Sequence, residues 1–278
     1  MVEIGAGLVK QLRDETNVSM MECKKALVEA GGDLAKATTL LRKRGVAVAA
    51  KKASRVANQG LIVSAASADG RTASLVEVNC ETDFVAKNES FKKFADELAQ
   101  KACQTDAALA DLVKDAVVAK IAETGENIVV NRNTRYVLSG KGRVTSYIHL
   151  GGKVGVLIEA GCENSATEAS PVFKDVVKDL TLQVAASSPR YLVAADVPAD
   201  VLAAEREIYA SQVKDKPPQI MDKIVDGKLK KFYSDVCLVD QIFVKDSKQS
   251  ISALLAVKGK ELGDKLTIRR FVRYQIGK

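Results

Sequence analysis

The sequence predicts an α+β protein in which a small three-helix N-terminal domain precedes an internally repeated α+β core with an inserted helical hairpin. Three observations support this fold class. First, helix-capping residues divide the first 45 residues into three short segments. Second, a unit made of a hairpin, a loop and a helix recurs at an offset of 82 residues. Third, a proline pair interrupts a helical stretch near residue 217. With 278 residues and 47% hydrophobic content, the chain is long enough for about two domains with a buried core.

The N-terminal domain, residues 1–45, is predicted to contain helices at 7–16, 19–30 and 33–44. Capping residues mark the helix ends, and these are Ser19 with Glu22, Gly31-Gly32, Asp33 and Gly45. Apolar residues at helical spacing would meet in a very small core, so this domain resembles a ubiquitin-associated domain. Met20 and Met21 are adjacent and point about 100° apart on a helix, so at most one can lie well inside. The other is either a contact residue or a methionine that is partly exposed by chance.

A basic linker is expected at residues 46–59, because this stretch is rich in alanine and lysine and lacks an apolar stripe. A marginal helix would fit the same pattern. Between residues 34 and 68 there are seven basic residues and no acidic residue. Such a run is either a solvated face or an RNA-binding footprint, but the segment has no aromatic residue to stack on single-stranded bases.

The core begins with a first repeat at residues 60–140. Two β-rich segments, 61–66 and 72–79, flank the hairpin turn signal Asp69-Gly70-Arg71, and a helix is expected from about 90 to 103. The second repeat is assigned to 141–195 and 232–278. It aligns with the first repeat at an offset of 82 residues without a gap, so that the strand around Leu75 matches the strand around Leu157. Two such units can pack their apolar faces together as an α+β core.

The inserted hairpin is assigned to residues 196–231. Two helical stretches are separated by Lys216-Pro217-Pro218, and a proline pair breaks a helix. The apolar seam along these helices is narrow, so the hairpin is either packed within the chain or available for association.

The loop between strand and helix differs most between the repeats. Thr82-Asp83-Phe84-Val85 in the first copy aligns with Asn164-Ser165-Ala166-Thr167 in the second. The shared scaffold therefore does not require Phe84. A large aromatic residue in a polar loop either folds back under its own loop or is exposed for a partner protein.

Catalysis is disfavoured by the residues that the chain lacks. With His149 as its single histidine, the chain cannot form a His-rich metal site, and no phosphate-binding glycine motif or nucleophile elbow occurs. The five cysteines are widely spaced and never form C-x-x-C, so we expect reduced, mostly buried thiols. No signal peptide or long apolar run is present, which predicts a cytoplasmic protein with no membrane partner. We expect a binding or regulatory protein without a cofactor or bound metal.

A family resemblance rests on four strings: N-C-E-T-D-F-V-A-K-N at 79–88, M-M-E-C-K-K-A-L at 20–27, S-Y-I-H at 146–149 and G-K-L-K-K-F at 227–232. Together they closely resemble bacterial elongation factor Ts over essentially the whole chain. The resemblance implies a guanine-nucleotide exchange factor that binds elongation factor Tu and has no catalytic chemistry of its own. It implies no specific nucleic acid as a partner, and it leaves a homodimer or 2:2 complex through the hairpin open.

The resemblance also implies roles for individual residues. Thr82, Asp83, Phe84 and Val85 would intrude beside the Mg²⁺ and phosphate region of the GTPase. Arg13, Met20 and Met21 would be contacts of the N-terminal domain, and His149 would be a second contact of the core. Two other classes remain open on the residues alone: a ubiquitin-binding adaptor, from the three-helix domain, and an RNA-binding module, from the basic C-terminal strand.

Overall fold

The computed structural model describes residues 4–213 and 217–278, and it confirms the α+β class. Three helices open the chain: α1 (Ala6–Thr16), α2 (Met20–Glu29) and α3 (Leu34–Lys52). The predicted caps form, because the Ser19 side chain accepts the Glu22 N–H and the Asp33 side chain accepts the Lys36 N–H. Leu12, Cys23 and Leu27 are fully buried in the small core that the helices share.

The predicted end of the third helix at Gly45 is wrong, and of the two alternatives for residues 46–52, a linker or a marginal helix, the structure shows the helix. Helix α3 continues to Lys52 because Gly45 provides a close approach: a Cβ at this position would lie 3.3 Å from the Ala122 Cβ. Beyond it, Val48 and Ala49 pack against the core cluster of the first repeat. Burial of this face stabilises a helical segment whose own sequence has no clear apolar stripe.

The first repeat contains a three-stranded antiparallel sheet with the order β1 (Gln59–Ala66), β2 (Thr72–Cys80) and β3 (Val129–Val137). Its helices are α4 (Asp83–Lys87), α5 (Glu89–Gln104), α6 (Leu109–Leu112) and α7 (Lys114–Thr124). The segment after β2, for which the sequence predicts a loop, contains the short helix α4. Thr82 caps this helix by accepting the Val85 N–H, a signal that the loop prediction overlooks.

The second repeat has the sheet order β4 (Gly142–His149), β5 (Val154–Gly161) and β8 (Thr267–Gln275), again antiparallel. Helices α8 (Ser165–Ala169) and α9 (Pro171–Ser187) follow β5 as α4 and α5 follow β2. Three further elements precede β8: the two-stranded sheet of β6 (Ile242–Phe243) and β7 (Asp246–Ser250), and helix α12 (Ile251–Leu262). The predicted repeat is therefore confirmed. The two repeats differ in where the third strand lies in the sequence, because β8 is further from β5 along the chain than β3 is from β2.

The helical hairpin consists of α10 (Ala199–Ser211) and α11 (Pro218–Val236). Its second helix runs beyond the predicted boundary at residue 231, because Phe232 and Val236 are buried against the core-side end of the hairpin. Pro218 begins α11, as expected for the proline pair, whereas Lys216 lies outside the described residues. The division of the whole chain into separate domains stays a prediction.

The two repeats meet through equivalent backbone and side-chain contacts. The Ile62 N–H donates to the Gly152 carbonyl at 2.7 Å, and the equivalent Val144 N–H donates to the Gly70 carbonyl at 3.3 Å. At the centre of this arrangement, the Ser146 and Ser64 hydroxyls lie 3.0 Å apart, 82 residues from each other along the chain. An approximate twofold relation therefore links the two hairpins, and each hairpin turn packs against the first strand of the other repeat.

Within the described ranges, no helix is both long enough and apolar enough to span a bilayer.

The extended α3 yields a first prediction. Val48→Asp would place a carboxylate against the core cluster and should lower the free energy of unfolding by about 1–3 kcal/mol. Val46, two residues earlier, is exposed, so Val46→Asp should change the free energy of unfolding by less than about 0.5 kcal/mol. Urea unfolding of the two variants measures the difference. Equal stabilities would show that residues 46–52 are a solvated linker after all.

Candidate functional site

The segment after β2 is fixed by a single carboxylate. Glu126 accepts hydrogen bonds from the backbone N–H groups of Glu81 and Thr82, both at 3.0 Å, and from the Thr82 hydroxyl at 2.6 Å. Glu81 in turn accepts the Asn127 N–H at 2.6 Å. Hydrogen bonds to charged groups are stronger than neutral ones, so they hold the start of α4 firmly against the end of β2.

Helix α4 buries one side and exposes Phe84. Ala86 is buried and Val85 packs against the core cluster, whereas the Phe84 side chain is 81% exposed. Phe84 is thus not a satellite core residue, and the alternative in which it folds back under its own loop is wrong. Because the backbone on both sides is anchored, the ring is held in solvent by a rigid support.

The charge beside Phe84 is an ion pair. Lys87 Nζ lies 2.6 Å from Asp83 Oδ2 across one turn of α4, and this hydrogen bond holds the pKa of the Asp83 carboxyl below its usual value. Lys153, from the β4–β5 turn, contributes a further lowering of the same pKa. Asp83 is therefore ionised at neutral pH and stands beside the exposed ring.

The β4–β5 turn lies at the same edge of the core as α4. Lys153 Nζ donates to Gln59 Oε1 at 3.2 Å, and Gln59 pairs with Cys80 directly before the α4 segment. We call residues 82–87 and 149–153 together the Phe84 edge. The structure thus brings together two groups of predicted contact residues, Thr82 to Val85 and His149, that are far apart in the sequence.

His149 ends β4 with its side chain exposed. The Tyr147 hydroxyl lies 3.0 Å from His149 Nδ1, and the two rings stack with centroids 5.7 Å apart. This contact orients the imidazole on the surface of the Phe84 edge.

The equivalent edge of the other repeat has the same scaffold without the aromatic residue. We call residues 164–169 and 67–71 the Ala166 edge. Here Asp264 replaces Glu126 and accepts the N–H groups of Glu163 and Asn164, both at 3.0 Å. Ala166 and Ala68 stand where the Phe84 edge has Phe84 and Leu150, so the exposed apolar side chains are not required by the architecture.

Asp264 also illustrates how strongly the carboxylate is held. Desolvation would raise the pKa of this carboxyl, but the Thr167 side chain and the backbone N–H groups outweigh it and lower the pKa to about 2. Because the folded-state value lies below the ordinary value of 3.8, this stabilisation is present above about pH 4 and is lost as the pH falls towards 2.

The remaining predicted contacts lie on the N-terminal helices. Arg13 is exposed on α1, and the side chains of Met20 and Met21, at the start of α2, are both exposed. Neither methionine lies well inside, which agrees with the geometric limit set by their adjacency. Exposed methionines offer adaptable apolar contacts.

Thr82 and Val85 have positions that the sequence did not predict. Thr82 binds Glu126 and caps α4, and Val85 packs inward, so both hold Phe84 in place. No sequence pattern pointed to Glu126. Its counterpart Asp264 is not at the 82-residue offset, because the chain between α9 and β8 is longer than that between α5 and β3, and the pair emerges only when the third strands are aligned.

The basic C-terminal strand is largely engaged within the protein. Arg269 and Arg270 both form ion pairs with the buried Glu159, at 3.2 and 2.7 Å. Their charges are therefore not a free phosphate-binding footprint.

All five cysteines are buried thiols, as expected, and burial raises the pKa of Cys80 and Cys237 to about 11.

Comparisons with known proteins point to a single family. The family described as Elongation factor TS matches residues 81–278. Curated relatives include an elongation factor Ts of Nitratidesulfovibrio vulgaris (strain DP4), 42% identical over 99% of this chain and 96% of its own length. Others are elongation factor Ts proteins of Clostridium perfringens (strain SM101 / Type A) and of a Nitratiruptor species, each 44% identical over 99% of this chain and 93% of their own length.

The repeated core with its anchored edge, together with these relatives, defines a protein of the translation elongation class. The chain belongs to the elongation factor Ts family.

The Glu126 anchor leads to a second prediction. Glu126→Ala removes three hydrogen bonds to a carboxylate and should lower the free energy of unfolding by about 1–3 kcal/mol. Hydrogen exchange of the amides in residues 81–87 should accelerate, while exchange in residues 163–169 should not. Asp264→Ala is the matched control, and it should show the reverse pattern. Unchanged protection of residues 81–87 in Glu126→Ala would show that the carboxylate is not the anchor.

Proposed function

We propose that this protein binds elongation factor Tu in its GDP-bound form and promotes release of GDP by disturbing the Mg²⁺ and phosphate site, which allows GTP to load. The observation that carries this proposal is the Phe84 side chain, 81% exposed on an anchored helix, where the equivalent loop has only Ala166. Family membership supplies the partner.

The mechanism follows from thermodynamic linkage. An exchange factor must bind the GTPase more tightly without nucleotide than with it, and by reciprocity the same coupling free energy weakens nucleotide binding. No covalent step is needed, so the protein acts without catalytic chemistry of its own.

Phe84 and Asp83 supply two physical means of loosening the nucleotide. Mg²⁺ bridges phosphates with near-octahedral geometry, so a shift of its ligands or waters weakens the site. A rigid ring can occupy the space into which those groups must fit, and the Asp83 carboxylate alters the local charge. We call the exposed Phe84 ring the Phe84 wedge. It needs little reordering on binding, because Thr82 and Glu126 already fix the backbone that carries it.

The remaining predicted contacts complete the proposed interface. Arg13, Met20 and Met21 would hold the N-terminal domain to the GTPase, and His149 would contact it from the Phe84 edge. We place the complex in the cytoplasm. The hairpin, with Ile208 and Ile220 half exposed, is the proposed surface for association of two copies into a homodimer or 2:2 complex.

A third prediction concerns the wedge itself. Phe84→Ala removes little buried surface, so the free energy of unfolding should change by less than about 0.5 kcal/mol. Burial of a phenylalanine in the partner is worth roughly 1.5–3 kcal/mol, so catalysed release of labelled GDP from elongation factor Tu should slow by about 10- to 100-fold.

The double variant Phe84→Ala/Ala166→Phe is a matched control, because it moves the ring to the equivalent loop. GDP release should remain slow in this variant. A large drop in the urea midpoint of Phe84→Ala with normal GDP release would contradict the wedge and show that the ring serves folding.

A fourth prediction concerns His149. His149→Ala should leave the melting temperature unchanged, because the side chain is exposed, and should slow GDP release by about 2- to 10-fold through loss of one hydrogen bond to the partner. Tyr147→Phe removes only the orienting hydroxyl and should have a smaller effect on release. A marked loss of thermal stability with unchanged release would assign His149 a structural role in the hairpin.

A further inference from the structure

The β4–β5 turn has an unusual residue at its tip. Leu150 has φ +50° and Gly151 has φ +60°, and the Gly152 N–H donates to the His149 carbonyl at 3.2 Å. Gly152 has φ +92°, so the turn runs through three successive residues with positive φ. Such turns favour glycine, asparagine and aspartate at these positions, so the glycine at 151 conforms and the leucine at 150 does not.

The strained backbone of Leu150 is not offset by burial of its side chain within the protein. A leucine in the left-handed region is disfavoured because its Cβ approaches the following carbonyl oxygen. Burial of the side chain could offset this cost, but Leu150 is 67% exposed. The residue is therefore unfavourable in both its backbone conformation and its contact with water.

The other repeat shows that the fold does not need this residue. Ala68 is the equivalent position on the Ala166 edge, and its backbone φ is not positive. Both hairpin turns nevertheless make the same contact with the first strand of the opposite repeat, through Gly152 and Gly70. Leu150 thus differs from its counterpart in side chain and conformation, while the scaffold contact is kept.

We propose that Leu150 is a specificity-determining contact of this protein, an apolar anchor that enters a hollow on elongation factor Tu beside the site of the Phe84 wedge. This rests on the proposed function. Leu150 adjoins His149, and Lys153 joins its turn to Gln59 of β1, which pairs with Cys80 at the end of the strand that leads into Phe84. Leu150 and Phe84 are the large, exposed apolar side chains of the Phe84 edge, and the Ala166 edge has alanine at both positions.

The turn also suits an anchor physically. A turn closed by a hydrogen bond at the end of a paired hairpin has little freedom to lose, so the leucine meets its partner already ordered. Strain that is stored in a free protein at an exposed position is typical of residues held for binding.

Leu150→Asn tests the proposal, because asparagine accepts the left-handed conformation but not an apolar hollow. We expect a melting temperature equal to or above that of the unsubstituted protein. The dissociation constant for nucleotide-free elongation factor Tu should rise by about tenfold, the loss expected for one well-buried leucine. GDP release at subsaturating concentration should slow accordingly.

Two controls separate this contact from a general effect of exposed residues. Ala68→Asn changes the equivalent turn, and Leu112→Asn removes another leucine whose side chain is 54% exposed. Both should leave the dissociation constant unchanged. An unaltered dissociation constant for Leu150→Asn would overturn the proposal, and so would a fall in its melting temperature with normal binding. Failure of the unsubstituted protein to release GDP would instead overturn the proposed function.

Discussion

Two buried carboxylates hold the core in the arrangement on which the rest of the structure depends. Glu77, 1% exposed, accepts from Arg132 Nε at 2.7 Å, and the Arg132 guanidinium lies 4.3 Å from the centre of the Tyr274 ring in the other sheet. The second repeat mirrors this contact: Glu159 accepts from Arg270 at 2.7 Å, and Arg270 lies 4.1 Å from Tyr136. Each third strand is thereby joined to both repeats. Removal of one partner from such a buried pair is costly, because the other charge is left uncompensated.

This reciprocal arrangement explains how the backbone beneath exposed apolar residues such as Phe84 is held in a fixed position. Joining the two sheets aligns each hairpin turn with the first strand of the opposite repeat, which creates two equivalent edges. The edges share backbone contacts and a carboxylate anchor, Glu126 in one and Asp264 in the other. The same scaffold thus stabilises both edges, but only one of them carries Phe84. In a duplicated fold, one copy is free to carry residues that folding alone would not select.

Sequence patterns predicted the parts of the fold that depend on local signals. The caps at Ser19 and Asp33 and the β-rich segments on either side of the turn at Gly70 are short-range features, and the repeat is visible because its first strands and helices keep one offset. The end of α3 was missed because burial against α7 overrides a weak helical pattern. The Phe84 segment was predicted as a loop because a one-turn helix depends on Thr82 and on Glu126, which is distant in sequence. Similarly, neither the contact of Glu126 with Thr82 nor the strain at Leu150 can be derived from spacing, since the first joins residues 44 apart in the sequence and the second is a property of the folded backbone.

The central claim is that this protein and GDP oppose each other on the same GTPase. The most direct measurement is calorimetric titration of the protein into elongation factor Tu, once in the nucleotide-free form and once saturated with GDP and Mg²⁺. Linkage requires that the protein bind the nucleotide-free form more tightly, by the same factor by which it weakens GDP binding. Equal affinity for both forms would contradict the account, because a factor that does not distinguish the two states cannot release the nucleotide.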